Sequence, residues 1–94
     1  MQVRFYMDPE SGQPHIFDHG VTEDEVVEVL ARSGKDTPGA DGSRIALGQT
    51  LAGRYLRVIY VRDEDVNSFF VVTAYDLRGK ALQAYRRYRR RRGP

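Results

Sequence analysis

The chain has no cysteine. That absence removes a disulfide scaffold, a thiolate nucleophile and any cysteine-based zinc site, and it fits a reducing compartment. No long apolar run is present either. The longest uncharged apolar stretch lies near Phe69 to Ala74, against the roughly 20 residues that a spanning helix needs. Met1 to Met7 is a short apolar–polar alternation, so no targeting segment is read there. The expectation is a cytoplasmic protein with no membrane partner. A P-loop, a dinucleotide fingerprint and a Ser/His/Asp spacing are all missing. There is no internal repeat and no linker, so residues 1–94 read as a single domain.

Acid is also missing from one end. Residues 77–94 hold eight Lys/Arg and no Asp or Glu, whereas residues 1–76 hold seven Lys/Arg and thirteen Asp/Glu, a balance of −6. The net charge of +2 therefore conceals two ends of opposite sign, which either pair internally or serve different partners.

Alternation from Gln2 to Tyr6 predicts a first strand, and Asp8-Pro9-Glu10-Ser11-Gly12 breaks it with turn chemistry. Pro14 to His19 can form one helical turn, stopped by Gly20. Thr22-Glu23-Asp24-Glu25 is a capping box, with Val21 and Val26 placed as a hydrophobic staple. Val26, Val27, Val29 and Leu30 then form the apolar stripe of a helix that Ser33-Gly34 ends. Lys35 to Gly42 reads as a loop. Three strands follow, over Ser43 to Thr50, Arg54 to Arg62 and Ser68 to Tyr75, the last central. Asp76 is placed to cap a final helix from Leu77, with Leu82, Tyr85, Ala81 and Tyr88 inward and Gly93-Pro94 at its end. The fold class is α+β: a twisted antiparallel sheet with the helices on one face and a basic C-terminal helix.

The strongest chemical signal is Arg86-Arg87-Tyr88-Arg89-Arg90-Arg91-Arg92, six arginines in seven positions. Guanidinium is permanently charged and forks onto phosphate, and neutralising several phosphates gives salt-sensitive binding. RNA is the expected partner, with Arg86, Arg87, Arg89, Arg90, Arg91 and Arg92 as contacts. A solubilising tail, or one docked on acidic surface, would carry the same residues. Tyr85 and Tyr88 sit three apart and are expected to pack the helix down rather than stack on bases. Arg44, Arg54, Arg57 and Arg62 lie in strands, where each taken singly reads as the solvated side. His15 and His19 are four apart with no third ligand evident, so no metal is expected. His19 suits a turn or a proton carrier, since histidine titrates near neutrality.

Several short pieces in order resemble the BrnT-type toxins and their relatives in the RelE/ParE toxin superfamily. They are Phe5-Tyr6-Met7-Asp8-Pro9-Glu10, His19-Gly20-Val21-Thr22 opening a helix, Ser43-Arg44-Ile45-Ala46-Leu47-Gly48-Gln49-Thr50, Gly53-Arg54 before an apolar strand, and Val72-Thr73-Ala74-Tyr75 before a basic terminus. The resemblance implies a RelE-like fold and a metal-independent endoribonuclease, without cofactor, restrained by a cognate antitoxin. It assigns cationic stabilisation of the phosphorane-like transition state to Arg44 and Arg54. Beside them, His19 is the side chain whose type suits proton transfer near neutrality, and Tyr75 can donate or relay a proton but is a poor base, since tyrosine ordinarily titrates at about pH 10. Arg57 joins the RNA contacts. The chain departs from the family at three places: Asp18 stands where a basic residue precedes the His-Gly pair, Tyr75 where an arginine ends the strand, and Asp76 to Ala84 lengthens the connection to the basic helix. A non-catalytic RNA- or ribosome-binding module, and a protein-interaction domain with a basic tail, are the alternatives.

Overall fold

A computed structural model describes residues 1–92; Gly93-Pro94, read above as the helix end, lie outside the described residues. Five strands form one sheet: β1 (Gln2–Phe5), β2 (Lys35–Pro38), β3 (Arg44–Gln49), β4 (Tyr55–Asp63) and β5 (Ser68–Asp76). A 3-10 turn (His15–His19) and α1 (Glu23–Ala31) separate β1 from β2, and α2 (Gly79–Arg91) follows β5. The strand order is β1-β5-β4-β3-β2. The α+β class is therefore as expected, with three differences.

First, the sheet is mixed. β1 runs parallel to β5, while every other pairing is antiparallel. Short connections tie β2 through β5 into antiparallel neighbours. No hairpin joins β1 to β5, so its direction follows from where α1 must pack. Second, Lys35–Pro38 is a strand and not a loop. It is polar and ends in proline, a composition that an edge strand tolerates because one side of its backbone has no partner.

Third, the helices lie on opposite faces. Val26 and Val29 of α1 are fully buried against Ala46, Leu56, Val58, Val71 and Ala74. Each such aliphatic side chain stabilises the fold by about 1.5–3 kcal/mol. Val71 and Ala74 both reach this core, although three apart, because a bulge interrupts the β4–β5 register at Ile59/Tyr60. α2 instead meets Tyr55, Gln49 and Lys35, which alternate away from that core. Tyr85, the one buried residue of α2, packs its ring 6.1 Å from Tyr55. Arg89 donates to the Gln49 side chain at 2.7 Å, and Lys35 lies 4.9 Å over the Tyr88 ring. The α1 face is already filled, so the aromatic stripe of α2 takes the other. Tyr85 fits only because residue 34 is glycine: a Cβ there would collide with its hydroxyl and lie 3.0 Å from its ring.

The α1 capping box forms as read, with Thr22 Oγ1 accepting from the Glu25 N–H at 3.1 Å and Glu25 accepting from the Thr22 N–H at 3.0 Å. Asp76 does not cap α2; the cap position is Arg78 and no side chain fills it. Asp76 stays in β5 because Arg54 and Arg78 hold its carboxylate. Ala81 is exposed rather than inward.

Candidate functional site

The arginines sort by what they touch. Arg54, on the α1 face, is enclosed by acceptors. Its Nε donates to Asp76 at 2.7 Å, and one terminal nitrogen donates to Glu25 at 2.9 Å and to the Gly20 carbonyl at 2.8 Å. The other terminal nitrogen reaches the His19 carbonyl at 3.4 Å. Gly20 presents that carbonyl from a left-handed backbone (φ 68°) which favours glycine. Arg54 thus ties the ends of β5, α1 and the 3-10 turn together. Asp76 is held below the usual carboxylate range by Arg54 first and Arg78 second.

Arg44 is also on the α1 face, at the other end of β3. Two of its nitrogens meet Asp36 at 2.8 Å, and the Tyr60 hydroxyl donates to the same carboxylate. Burial, then the Asp36 contact, push the Tyr60 hydroxyl up to about 12. The group borders a wide cleft of about 910 Å³ that Arg62, Asp63 and Asp65 also line. Arg44 pairs in register with Tyr60, and Tyr75 with Arg57. Strand geometry puts Arg44 and Tyr75 roughly 14 Å apart between Cα atoms, on opposite faces. The four residues assigned to catalysis are therefore not one cluster.

His19 and Tyr75 do meet. Their rings are 5.7 Å apart, edge to face, in a cleft of about 420 Å³ lined also by Asp18, Asp76 and Arg78. Tyr75 is the cross-strand neighbour of Arg57, on the face opposite α1. Arg57 Nε and Thr73 Oγ1, on that same face, are buried without a hydrogen-bond partner. Arg57, Thr73 and Tyr75 thus form a polar strip between the His19 cleft and α2. Thr73 and Arg78 went unread in the sequence. Alternation along β5 puts Thr73 on the face of Tyr75, but only the β4–β5 register puts Arg57 there.

His15 continues the aromatic row, 5.4 Å from His19 and 6.2 Å from Tyr6. Its Nδ1 lies 3.7 Å from Asp8 and 3.4 Å from Asp18, and one donor atom from each of the three falls within 4.8 Å of the others. Asp8 and Asp18, rather than His19, are thus the residues that could join His15 around a cation. Asp8 is held below its ordinary value, chiefly by the Glu10 N–H.

The six arginines of α2 and its end form no ion pair among the described residues. Arg86 lies 5.9 Å over Tyr55, Arg89 5.8 Å over Tyr85 and Arg92 5.6 Å over Tyr88. Arg87, Arg90 and Arg91 line a shallow cleft of about 390 Å³ at the surface. Such a row, beside a sheet face carrying Arg57 and Tyr75, can hold a phosphate-rich anion. Among the described residues no helix is long and apolar enough to cross a membrane. The chain matches no protein-family model, no curated protein and no solved structure.

Proposed function

We propose that the protein binds RNA in the cytoplasm, seating it on α2 and on the sheet face that carries Arg57 and Tyr75. One observation carries this reading: six arginines lie on one helical segment, and none is neutralised by a carboxylate among the described residues. An internally docked tail would have met carboxylates of the body; among the described residues, those that pair with arginine are Asp36, Glu25 and Asp76, and they hold Arg44, Arg54 and Arg78. Titration of labelled RNA at several salt concentrations tests the reading. The logarithm of affinity should fall linearly with the logarithm of salt, by about 0.7 per phosphate contacted on a single strand. Absent or salt-independent binding refutes it.

The meeting of His19 and Tyr75 favours a second step, cleavage. In this reading the protein is a RelE-like, BrnT-type toxin of a type II toxin–antitoxin system, a metal-independent endoribonuclease silenced by its antitoxin. The ribose 2′-hydroxyl attacks the adjacent phosphate and gives its proton to His19, the P–O5′ bond breaks, and Tyr75 donates or relays a proton to the departing 5′-oxygen, leaving a 2′,3′-cyclic phosphate. Arg78 lines this cleft and Arg57 is the cross-strand neighbour of Tyr75, so both stand within reach of the developing charge. Arg54, enclosed by acceptors, and Arg44, on the far face, are poorly placed to do so. In chelator-treated assays, His19→Ala, Tyr75→Phe and Arg57→Gln should each lower cleavage about 100-fold, whereas Arg44→Gln leaves it unchanged. Cleavage that survives all three of the first set removes this step, and the protein is then a non-catalytic RNA- or ribosome-binding module.

A further inference from the structure

The six arginines are equivalent in the sequence but not in the structure. Arg86, Arg89 and Arg92 each lie over a tyrosine ring, on Tyr55, Tyr85 and Tyr88. Arg89 also donates to Gln49, and Arg92 donates to the Tyr88 hydroxyl at 2.9 Å. Cation–ring contacts of this kind stabilise by roughly 0.5–1 kcal/mol each at exposed sites. The Arg86–Tyr55 contact and the Arg89–Gln49 hydrogen bond join a helix with a single buried residue, Tyr85, to the sheet, while the Arg89–Tyr85 and Arg92–Tyr88 contacts lie along α2 itself. Arg87, Arg90 and Arg91 have no ring, carboxylate or hydrogen-bond partner among the described residues. At about 100° per residue they point away from the Tyr85 side of α2.

We propose, resting on the RNA reading above, that these two sets divide the work. Arg87, Arg90 and Arg91 are the phosphate contacts, Arg86 and Arg89 clamp α2 on the sheet while Arg92 braces Tyr88, the ring that Lys35 lies over, and the ligand is single-stranded RNA. The contact row spans five residues, roughly 6 Å of helix rise. That is one turn, enough for adjoining phosphates of one strand. Proteins that take duplex RNA instead bridge successive grooves across many base pairs. Beyond the strip of Arg57 and Thr73, the cleft of His19 and Tyr75 offers rings to an unpaired base, which duplex pairing would withhold.

The test uses the full chain, a short unstructured oligouridine, and a hairpin duplex. R87Q/R90Q/R91Q should flatten the log–log salt slope by about 2 and weaken oligouridine binding about 50-fold at about 0.15 M salt. Its thermal midpoint should stay at the wild-type value. R86Q/R89Q/R92Q should lower the thermal midpoint while, below it, changing the slope much less than R87Q/R90Q/R91Q does. The hairpin should bind the wild type more weakly than oligouridine. Equal slope changes in the two triple variants overturn the division of labour but leave the RNA reading standing. Tighter binding of the hairpin overturns the strand class. A wild-type chain that binds neither probe overturns the RNA reading and this inference with it.

Discussion

Arg44 and Arg54 end on carboxylates of their own chain, whereas Arg87, Arg90 and Arg91 end in solvent. The first two point to the part-exposed α1 face, and each is drawn into a network with Asp36 or with Asp76 and Glu25. The last three stand on a helix that buries one side chain, and no carboxylate meets them among the described residues. Identical side chains therefore serve as fold-internal clamps in one region and as a free cationic row in the other. A resemblance based on arginine positions in sequence does not separate these roles, whereas the groups that each guanidinium meets do.

Three substitutions or conditions would break or sharpen this contrast. The largest effect belongs to Arg54→Ala. It removes several charge-assisted hydrogen bonds at a site about one-quarter exposed. After discounting for solvent screening, a loss of about 2–3 kcal/mol is expected in denaturant unfolding, with RNA affinity unchanged. An unchanged stability together with lost affinity would put Arg54 among the ligand contacts and dissolve the contrast. Next is Gly34→Ala. Its Cβ drives the Tyr85 ring away, so about 1–2 kcal/mol should be lost to overpacking. Tyrosine fluorescence and the mobility of α2 should change while α1 and the core stay intact. If α2 stays docked at full stability, Tyr85 is not what seats it.

The smallest effect is alkaline. Tyr60 is held neutral by burial and by Asp36, with its hydroxyl raised from 10.0 to about 12. A group raised in the folded state stabilises fully below its unfolded value, and that contribution is lost as pH climbs through the folded one. Stability should therefore decline between pH 10 and about 12, and Tyr60→Phe should flatten that segment of the curve. A wild-type profile without the decline would mean that the Asp36–Tyr60–Arg44 network is open to water.

Much of the scaffold was legible because its signals are local. The Thr22/Glu25 box, the valine stripe of α1, the alternation of β4 and the apolar β5 each follow from residues within one element. β2 was not legible, because a polar segment ending in Pro38 becomes a strand only when β3 offers it an edge. The parallel placement of β1 was hidden for the same reason: its partner lies more than sixty residues away. At the site, His19 and Tyr75 were each legible as candidates, but their meeting, and the placing of Arg57, Thr73 and Arg78 near them, came only through register and the fold of the β5 edge.

By itself, the sequence determined the α+β class, the start of α1, the absence of thiol chemistry and the crowding of positive charge at one end. Those properties depend on side-chain chemistry and short-range periodicity, which need no partner to exist. Tertiary structure alone decided which helix covers which face and which arginines are neutralised. Both outcomes depend on competition for a limited set of distant apolar surfaces and carboxylates, and no run of neighbouring residues encodes who wins it.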